Sequence, residues 1–524
     1  MSIAAMASSN GAVWESVNGR ELGWTDAHRA LVDFGMLASA PEPLDPMEKA
    51  FFALASDEAV RRAAPANQGW RLVSEYPLKP SLLAMTHVWR TQADEQVIAA
   101  KGAPEAISEL CRMNNAERTD LRTLVDKLAA DGLRVLGVAK ATASNQEFPE
   151  TQSGFAFTFV GLVGLADALR PSVPEAVKEC RLAGIRVVVI TGDYPTTARA
   201  IARQAGIGDG EPLTGEMLDN MSDAELGERV RSATVFARIM PEQKLRIVNA
   251  FRANGEVVAM TGDGVNDAPS LKAADVGIAM GGRGTDVARE AASIVLLDDD
   301  FGSIVKAVRL GRRIYDNLRK AMGFILAVHV PIAGLALLPL AFGLPVLLGP
   351  VHIAFLQLII DPVCSLVFEA EAEEDDVMRR PPRAPAAPLF SQGMIGWGLF
   401  QGLAVFLMVG AIFVIASGRG LPGSEVRALA FFSLVVAFIS LIFVNRSFST
   451  SLVAAVVTPN RTLFVVLGSV AAMLSLTLSL PMASGLFRFG PLHWNDALLA
   501  LGGGAMVLLV LEVAKGFIGL RRHV

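Results

Sequence analysis

A chain of 524 residues with 52% hydrophobic residues and a mean hydropathy of +0.42 is too apolar to be wholly soluble. Its formal net charge of −5 gives no electrostatic footprint for nucleic acid, and its length allows about three domains. The three cysteines, Cys111, Cys180 and Cys364, lie far apart without CxxC spacing or histidine companions, so neither a disulfide framework nor a zinc site is indicated. Residues 1–13 have no basic start and no long apolar core, unlike a secretory signal.

Residues 1–152 alternate short strands with helical stretches, and four clusters suggest a nucleotide pocket. Pro46 suits the first turn of a helix that carries Glu48. Tyr76 follows a strand-like segment. Lys101 begins KGAPE, which ends the apolar run at residues 97–100 and starts a helix, and Arg134 heads a further strand. One ring, one acid and two cations suffice for adenine stacking and phosphate contact. Taken singly, Tyr76 also reads as a core aromatic and Lys101 as a solvated helix cap. No GxxxxGK[ST] occurs, which excludes a P-loop NTPase.

Residues 153–305 have βαβ character. The run 155–166 (FAFTFVGLVGLA) is continuously apolar, as in a parallel strand covered on both faces. A helix over 171–183 leads to a buried strand at 185–190, closed by Thr191, Gly192 and Asp193. A helix over 196–205, a short strand at 235–238 and a helix over 241–254 carrying Lys244 follow. Next comes MTGDGVNDAPSLKAADVGIAMG at residues 260–281, after the strand at 255–260. Its loop presents Asp263, Asn266 and Asp267, two carboxylates four apart and able to hold Mg²⁺ against a phosphate.

After an arginine-rich helix, six apolar stretches can each span a bilayer at about 20 residues per span. They are 321–341, 346–368, 393–416, 428–445, 462–483 and 497–518. Loops on one side hold Arg309, Arg312, Arg313, Arg319, Lys320, Arg379, Arg380, Arg383, Arg446, Arg461, Arg521 and Arg522. The other side holds Arg419, Arg427 and Arg488. Twelve basic residues against three predict soluble domains and C-terminus in the cytoplasm. Polar groups inside spans are costly and therefore informative: His329 in the first, Gln357 and Asp361 in the second. Pro362 removes a helix hydrogen bond beside Asp361, which predicts carbonyls free to face an ion. The acidic stretch 369–376 reads as a solvated exit from the membrane, and residues 381–388 as a stiff linker. Glu512 and Lys515 are placed to pair, and Gly502, Gly503 and Gly504 predict close helix packing.

Residues 260–281 resemble the hinge motif of P-type cation-transporting ATPases, and other motifs agree in order. KGAPE is similar to that family's ATP-site lysine motif, FARIMPEQK to its FARxxPxxK, and DALR (167–170) to its DPPR. TGDY differs from its usual TGDN at Tyr194. Leu78 and Ser81 stand where the family's calcium pumps have a basic cluster. The resemblance, over about residues 12–520, implies an α/β cytoplasmic region followed by an all-α six-helix membrane domain. The α/β region would combine a P-type nucleotide-binding domain (1–152) with an incomplete haloacid-dehalogenase-like parallel sheet (153–305). The membrane domain would be 306–524.

The resemblance further implies ATP at Glu48, Tyr76, Lys101 and Arg134, with Thr191, Gly192, Asp193 and Lys244 also contributing. Mg²⁺ falls to Asp263 and Asp267. Catalytic roles fall to Thr191, Asp193, Lys244, Asp263, Asn266 and Asp267, and the transported cation to Asp361 with Gln357 and His329. Calcium pumps carry other residues at the positions of Gln357, Ile360 and Ile332, and Cys364 is not the CPC of heavy-metal pumps.

The family's phosphorylated aspartate lies in DKTGT, which does not occur among these 524 residues. Met1 resembles a start just past that motif. The expectation is therefore the C-terminal part of a pump of the bacterial cytoplasmic membrane, inactive alone. A partner chain would supply the nucleophile, the actuator domain and the first four helices. The alternatives are a non-catalytic nucleotide-binding membrane regulator, a split-pump subunit, or a dehalogenase-type phosphatase anchored in the membrane.

Overall fold

The computed structural model describes residues 1–9, 11, 13–15, 25–43, 45–54, 69–79, 82–143, 148–167, 169–446 and 459–518. Ser81, Ala168, Arg521 and Arg522 lie outside them. The chain divides into two compact units: residues 1–181 with 185–304, and residues 182–184 with 305–524.

The first unit opens with β1 (Ser2–Ser8), β2 (Val13–Glu15), α1 (Asp26–Leu37), α2 (Pro46–Leu54), β3 (Arg71–Tyr76), β4 (Ala84–Arg90) and β5 (Gln96–Gly102). Then come α3 (Pro104–Leu110), α4 (Asn115–Ala130), β6 (Arg134–Ala143) and β7 (Thr158–Ala166). These seven strands form one antiparallel sheet, ordered β2-β1-β7-β6-β5-β4-β3. Local signals set its helix ends. Pro104 occupies the first turn of α3, and Asn114 and Glu117 form a reciprocal capping box on α4.

Both faces of this sheet are covered. Leu31, Val32, Met36 and Phe51 of α1 and α2 pack on Val138 and Val163. On the other face Ile107 of α3 packs on Ile98 and Ala139, and Leu121 and Val125 of α4 on Leu162. This corrects the reading of 155–166. The run is buried on both sides as expected, but β7 lies antiparallel between β1 and β6. Uninterrupted apolarity reports two covered faces and carries no information about strand direction.

The rest of the unit comprises α5 (Val173–Leu182), β8 (Val189–Ile190), α6 (Pro195–Gln204), β9 (Leu213–Thr214), α7 (Gly215–Asp219), α8 (Asp223–Arg229), β10 (Val235–Ala237) and α9 (Pro241–Ala253). It ends with β11 (Ala259–Gly262), α10 (Ala268–Ala273), β12 (Val276–Met280), α11 (Asp286–Ala291) and β13 (Ile294–Leu296). The strands are parallel, as a βαβ pattern requires, but they form two sheets: β8-β10-β9 and β11-β12-β13. Among the described residues, β8 and β11 each pair on one side only. β8 is shorter than its apolar run and β11 begins two residues into its own, leaving Val257 63% exposed. An apolar strand with one neighbour leaves an edge unfilled.

The second unit consists of α12 (Phe301–Phe342), α13 (Pro350–Pro362) continued by a π-helical turn (Val363–Val367), α14 (Gln392–Gly418), α15 (Gly423–Asn445), α16 (Arg461–Ser479), α17 (Pro481–Phe487) and α18 (Trp494–Ile518). Six of the described helices are long and apolar enough to cross a membrane. The arginine-rich helix and the first span are one 42-residue helix, α12. At 1.5 Å per residue it is ~63 Å long, about twice a bilayer's hydrocarbon core. Gly503 and Gly504 admit Met408 and Val436 against the backbone of α18, whereas Gly502 faces open space.

Two membrane expectations change. Pro362 does not unwind α13, because the chain passes through it into the π turn, and the Asp361 carbonyl accepts the Ser365 hydroxyl at 2.7 Å. The acidic stretch 369–376 is not simply a solvated exit. Glu371 and Glu374 are buried and pair with Arg446 at 2.7 Å and Lys320 at 2.6 Å. Carboxylates leave water here because cations from neighbouring helices replace it.

Candidate functional site

Of the predicted pocket residues, Glu48, Lys101 and Arg134 share the α1/α2 face of the seven-stranded sheet. Lys101 Nζ lies 2.7 Å from Glu48 Oε1 and donates to Ser39 Oγ at 2.5 Å. Burial pushes the Lys101 ammonium below its ordinary value, and Glu48 opposes that shift. Arg134, the first residue of β6, reaches Met47 Sδ at 3.5 Å, one residue before Glu48.

Tyr76 stands apart. It pairs in register with Thr86 and Thr86 with Ala100, so its ring lies on the face opposite Lys101. There it makes an edge contact with Phe155 at 5.6 Å, and its hydroxyl donates to the Pro149 carbonyl at 2.6 Å.

The second group forms where β8 ends. Thr191 Oγ1 donates to Asp193 Oδ2 at 2.9 Å, and the Asp193 amide donates back to Thr191 Oγ1 at 3.1 Å. Arg134 Nε donates to Asp193 Oδ1 at 2.7 Å, tying the antiparallel sheet to this loop, while Gly192 between the two is exposed. Tyr194 packs against Leu121 and Val125 of the α4 cluster, and the Arg238 guanidinium stands 5.5 Å from its ring centroid.

The third group lies where β11 ends. Asp267 is 6% exposed; its Oδ1 accepts from Lys244 Nζ at 2.7 Å, and its Oδ2 from the amides of Asp263 (3.3 Å) and Gly264 (3.2 Å). A Cβ on Gly262 would sit 2.6 Å from that of Asp267, so only glycine lets the loop close this tightly. The side chains of Asp263 and Asn266 are exposed. An exposed carboxylate beside one already held by its own loop is a donor set that suits a hard cation retaining water.

Arg186 and Glu256, ahead of β8 and β11, pair at 3.6 Å, and Lys244 reaches from α9 to Asp267. Among the described residues, the two sheets are therefore bridged by side chains at both ends, without a hydrogen-bonded ladder between them.

In the helical unit, Gln357, Asp361 and Ser365 are exposed at four-residue intervals along α13. Gln357 Nε2 donates to Asp361 Oδ1 at 2.5 Å. His329 is exposed on α12 and bonds within its own helix, to Ile325 O at 2.8 Å.

One residue that the sequence pattern does not single out completes the first group: Ser39 is the second partner of Lys101, and nothing in its surroundings in sequence marks it. Arg238, the arginine of FARIMPEQK, has no role assigned from the sequence; it pairs with Glu105 of KGAPE and has a backbone φ of 55°, unusual for a residue other than glycine.

These features define a multi-pass membrane protein carrying an α/β unit with polar, charged loops at the carboxyl ends of its parallel strands. Residues 46–275 match the haloacid dehalogenase-like hydrolase family, and residues 345–517 match the cation transporting ATPase C-terminus. The chain belongs to the P-type cation-transporting ATPases, matching their C-terminal portion.

It is 35% identical over 464 residues to a calcium-transporting ATPase of Bacillus subtilis (strain 168), covering 84% of this chain and 51% of that protein. It is 34% identical over 481 residues to the cation-transporting ATPase pma1 of Synechocystis sp. (strain ATCC 27184 / PCC 6803 / Kazusa), covering 87% and 52%. Against the probable cation-transporting ATPase F of Mycobacterium tuberculosis (strain ATCC 25618 / H37Rv) it is 37% identical over 366 residues, covering 66% and 40%. The chain thus spans about half the length of the first two relatives and less of the third.

Proposed function

We propose that this chain supplies the nucleotide-binding, metal-binding and ion-path parts of an ATP-driven cation pump. The aspartate that becomes phosphorylated would come from a strand outside these 524 residues, in a longer polypeptide or a partner. The observation that carries this reading is the interrupted parallel sheet. Among the described residues β8 and β11 each have an unpaired edge, and Thr191 and Asp263 stand at the carboxyl ends of the two strands. A strand inserted parallel to both would deliver a carboxylate between Thr191, Lys244 and Asp263.

In that assembly residues 1–152 would serve as the nucleotide domain and 153–305 as the phosphorylation domain, with β7 shared through the antiparallel sheet. Residues 306–524 would form the membrane domain. Arg134, Gly192 and Thr191 would face nucleotide phosphates, with the Glu48–Lys101 pair beneath them. Asp263 and Asp267 would hold Mg²⁺, which supplies charge neutralisation at the transferring phosphoryl group. Lys244 fixes Asp267, and Thr191 orients an oxygen of that group. Asp361 and Gln357 would take the transported cation, because a carboxylate and an amide exposed on an apolar helix need a polar occupant or a covering helix. The arginine distribution supports placing the α/β unit in the cytoplasm.

Binding of trinitrophenyl-ATP to the purified chain tests the nucleotide half of this reading. Arg134→Ala should weaken it about tenfold, the scale of one charge-assisted contact. Equal affinity in wild type, Arg134→Ala and Thr191→Ala would remove this site as the nucleotide pocket.

A further inference from the structure

Where α12 ends and α13 begins, the chain turns beside the end of α14 and the start of α15. These segments enclose a cavity of about 190 Å³. Leu344, Leu347, Phe413 and Val426 give it apolar walls, and the polar residues reaching it are Ser417 and Arg427.

Among the described residues, the Ser417 hydroxyl lacks a hydrogen-bond partner and the Arg427 guanidinium lacks an ion-pair partner. Ser417 Oγ is buried and, among the described residues, has no hydrogen-bond partner. Such an orphan hydroxyl is rare in a folded protein and is relieved when a ligand oxygen meets it. Arg427 donates to the carbonyls of Arg488 and Val346, both at 3.0 Å, and these neutral acceptors leave its charge uncompensated. Among the described residues, neither Arg427 nor Arg488 has a carboxylate within ion-pair distance, and Glu425, in the same turn, lies against Gly490 instead. Among the described residues, the Arg427 guanidinium thus stands at an apolar cavity without an anion, bonded to the backbone of a second arginine.

Depth identifies the anion. Ser417 is the penultimate residue of α14, and Gly423, which also lines the cavity, is the first of α15. The cavity therefore lies where two membrane-spanning helices reach the headgroup level. The amino-terminal end of α15 adds partial positive charge on the same side.

We propose that this cavity seats an acidic glycerophospholipid of the adjoining leaflet. Its phosphodiester meets Arg427 and the Ser417 hydroxyl, and the upper part of one acyl chain lies along Leu347, Phe413 and Val426. Apolar walls with a cationic rim at this depth fit such an amphiphile better than a free anion, which would leave the walls without a partner.

The test uses the full chain purified in nanodiscs of phosphatidylcholine and phosphatidylglycerol, with retained lipid counted by native mass spectrometry after release into detergent. One phosphatidylglycerol should stay bound to wild type. Arg427→Gln should lower retention about tenfold, and so should Ser417→Leu, which fills the cavity and leaves both arginines in place. If Arg427→Gln is not monodisperse, Ser417→Leu alone decides. Equal retention in wild type and Ser417→Leu overturns the proposal. So does equal retention of phosphatidylcholine, or displacement of the lipid by millimolar inorganic phosphate, which would mark a free-anion site. None of these readouts depends on nucleotide binding.

Discussion

Lys244 Nζ and Asp267 Oδ1 meet at 2.7 Å across the interval between two three-stranded parallel sheets. The other oxygen of Asp267 holds the amides of Asp263 and Gly264. One buried carboxylate thereby fixes both the lysine and the loop that presents Asp263. Asp267→Asn should leave the fold intact but release those amides. Hydrogen exchange at Asp263 and Gly264 should quicken about tenfold, the equivalent of one hydrogen bond to a charged group. Unchanged protection would show that the loop is held by something else.

Gly262 is the steric counterpart of that hydrogen bonding. Gly262→Ala puts a Cβ 2.6 Å from that of Asp267, so the loop must open or Asp267 must move. The expected cost is about 1–3 kcal/mol, as for overpacking elsewhere. Exchange should rise at the same two amides as in Asp267→Asn. A variant as stable and as protected as wild type would mean that the loop has slack.

The buried pairs Glu371–Arg446 and Glu374–Lys320 lie within the helical unit at exposures of 2–8%. Removing one partner leaves a buried charge, so Lys320→Met alone should cost about 3–5 kcal/mol. The double variant Lys320→Met with Glu374→Met should recover most of that loss. Thermal unfolding of the detergent-solubilised chain measures both. If the two single variants simply add, the pair is not coupled.

A pH effect follows from Asp33 on α1. Burial raises its carboxyl from 3.8 to about 6, with Arg29 opposing the shift. The folded chain therefore holds a proton that the unfolded chain has lost between those values. Its contribution is favourable below about 4 and is lost as pH rises through about 6. Asp33→Asn should remove this decline, so that wild type and variant diverge in stability from pH 4 to 7. Parallel pH profiles would place Asp33 in water.

How far the sequence discloses this structure differs from element to element. The six spans read directly from apolar length, because lipid tolerates few other solutions. The βα alternation at 185–296 was equally legible, since its strands end in glycine- and acid-rich loops. Direction was not: 155–166 has the same composition whether its neighbours run parallel or antiparallel.

Side-chain partners were legible only where spacing is local, as for Glu512 and Lys515, which pair at 3.4 Å. Glu371 and Arg446 lie 75 residues apart and meet only because the helices bring them together. Tyr76 shows the same limit within a sheet, since register decides which face carries its ring.

In the proposed pump, Thr191, Lys244 and Asp263 serve an aspartyl-phosphate whose aspartate lies outside these 524 residues. Acid-stable labelling with γ-labelled ATP and Mg²⁺ addresses this most directly, comparing the chain alone with the chain co-expressed with a segment bearing a DKTGT strand. The expected result is no covalent label on the chain alone and an aspartyl label on the added segment, abolished by Asp263→Ala. Covalent phosphate on the chain alone would contradict it.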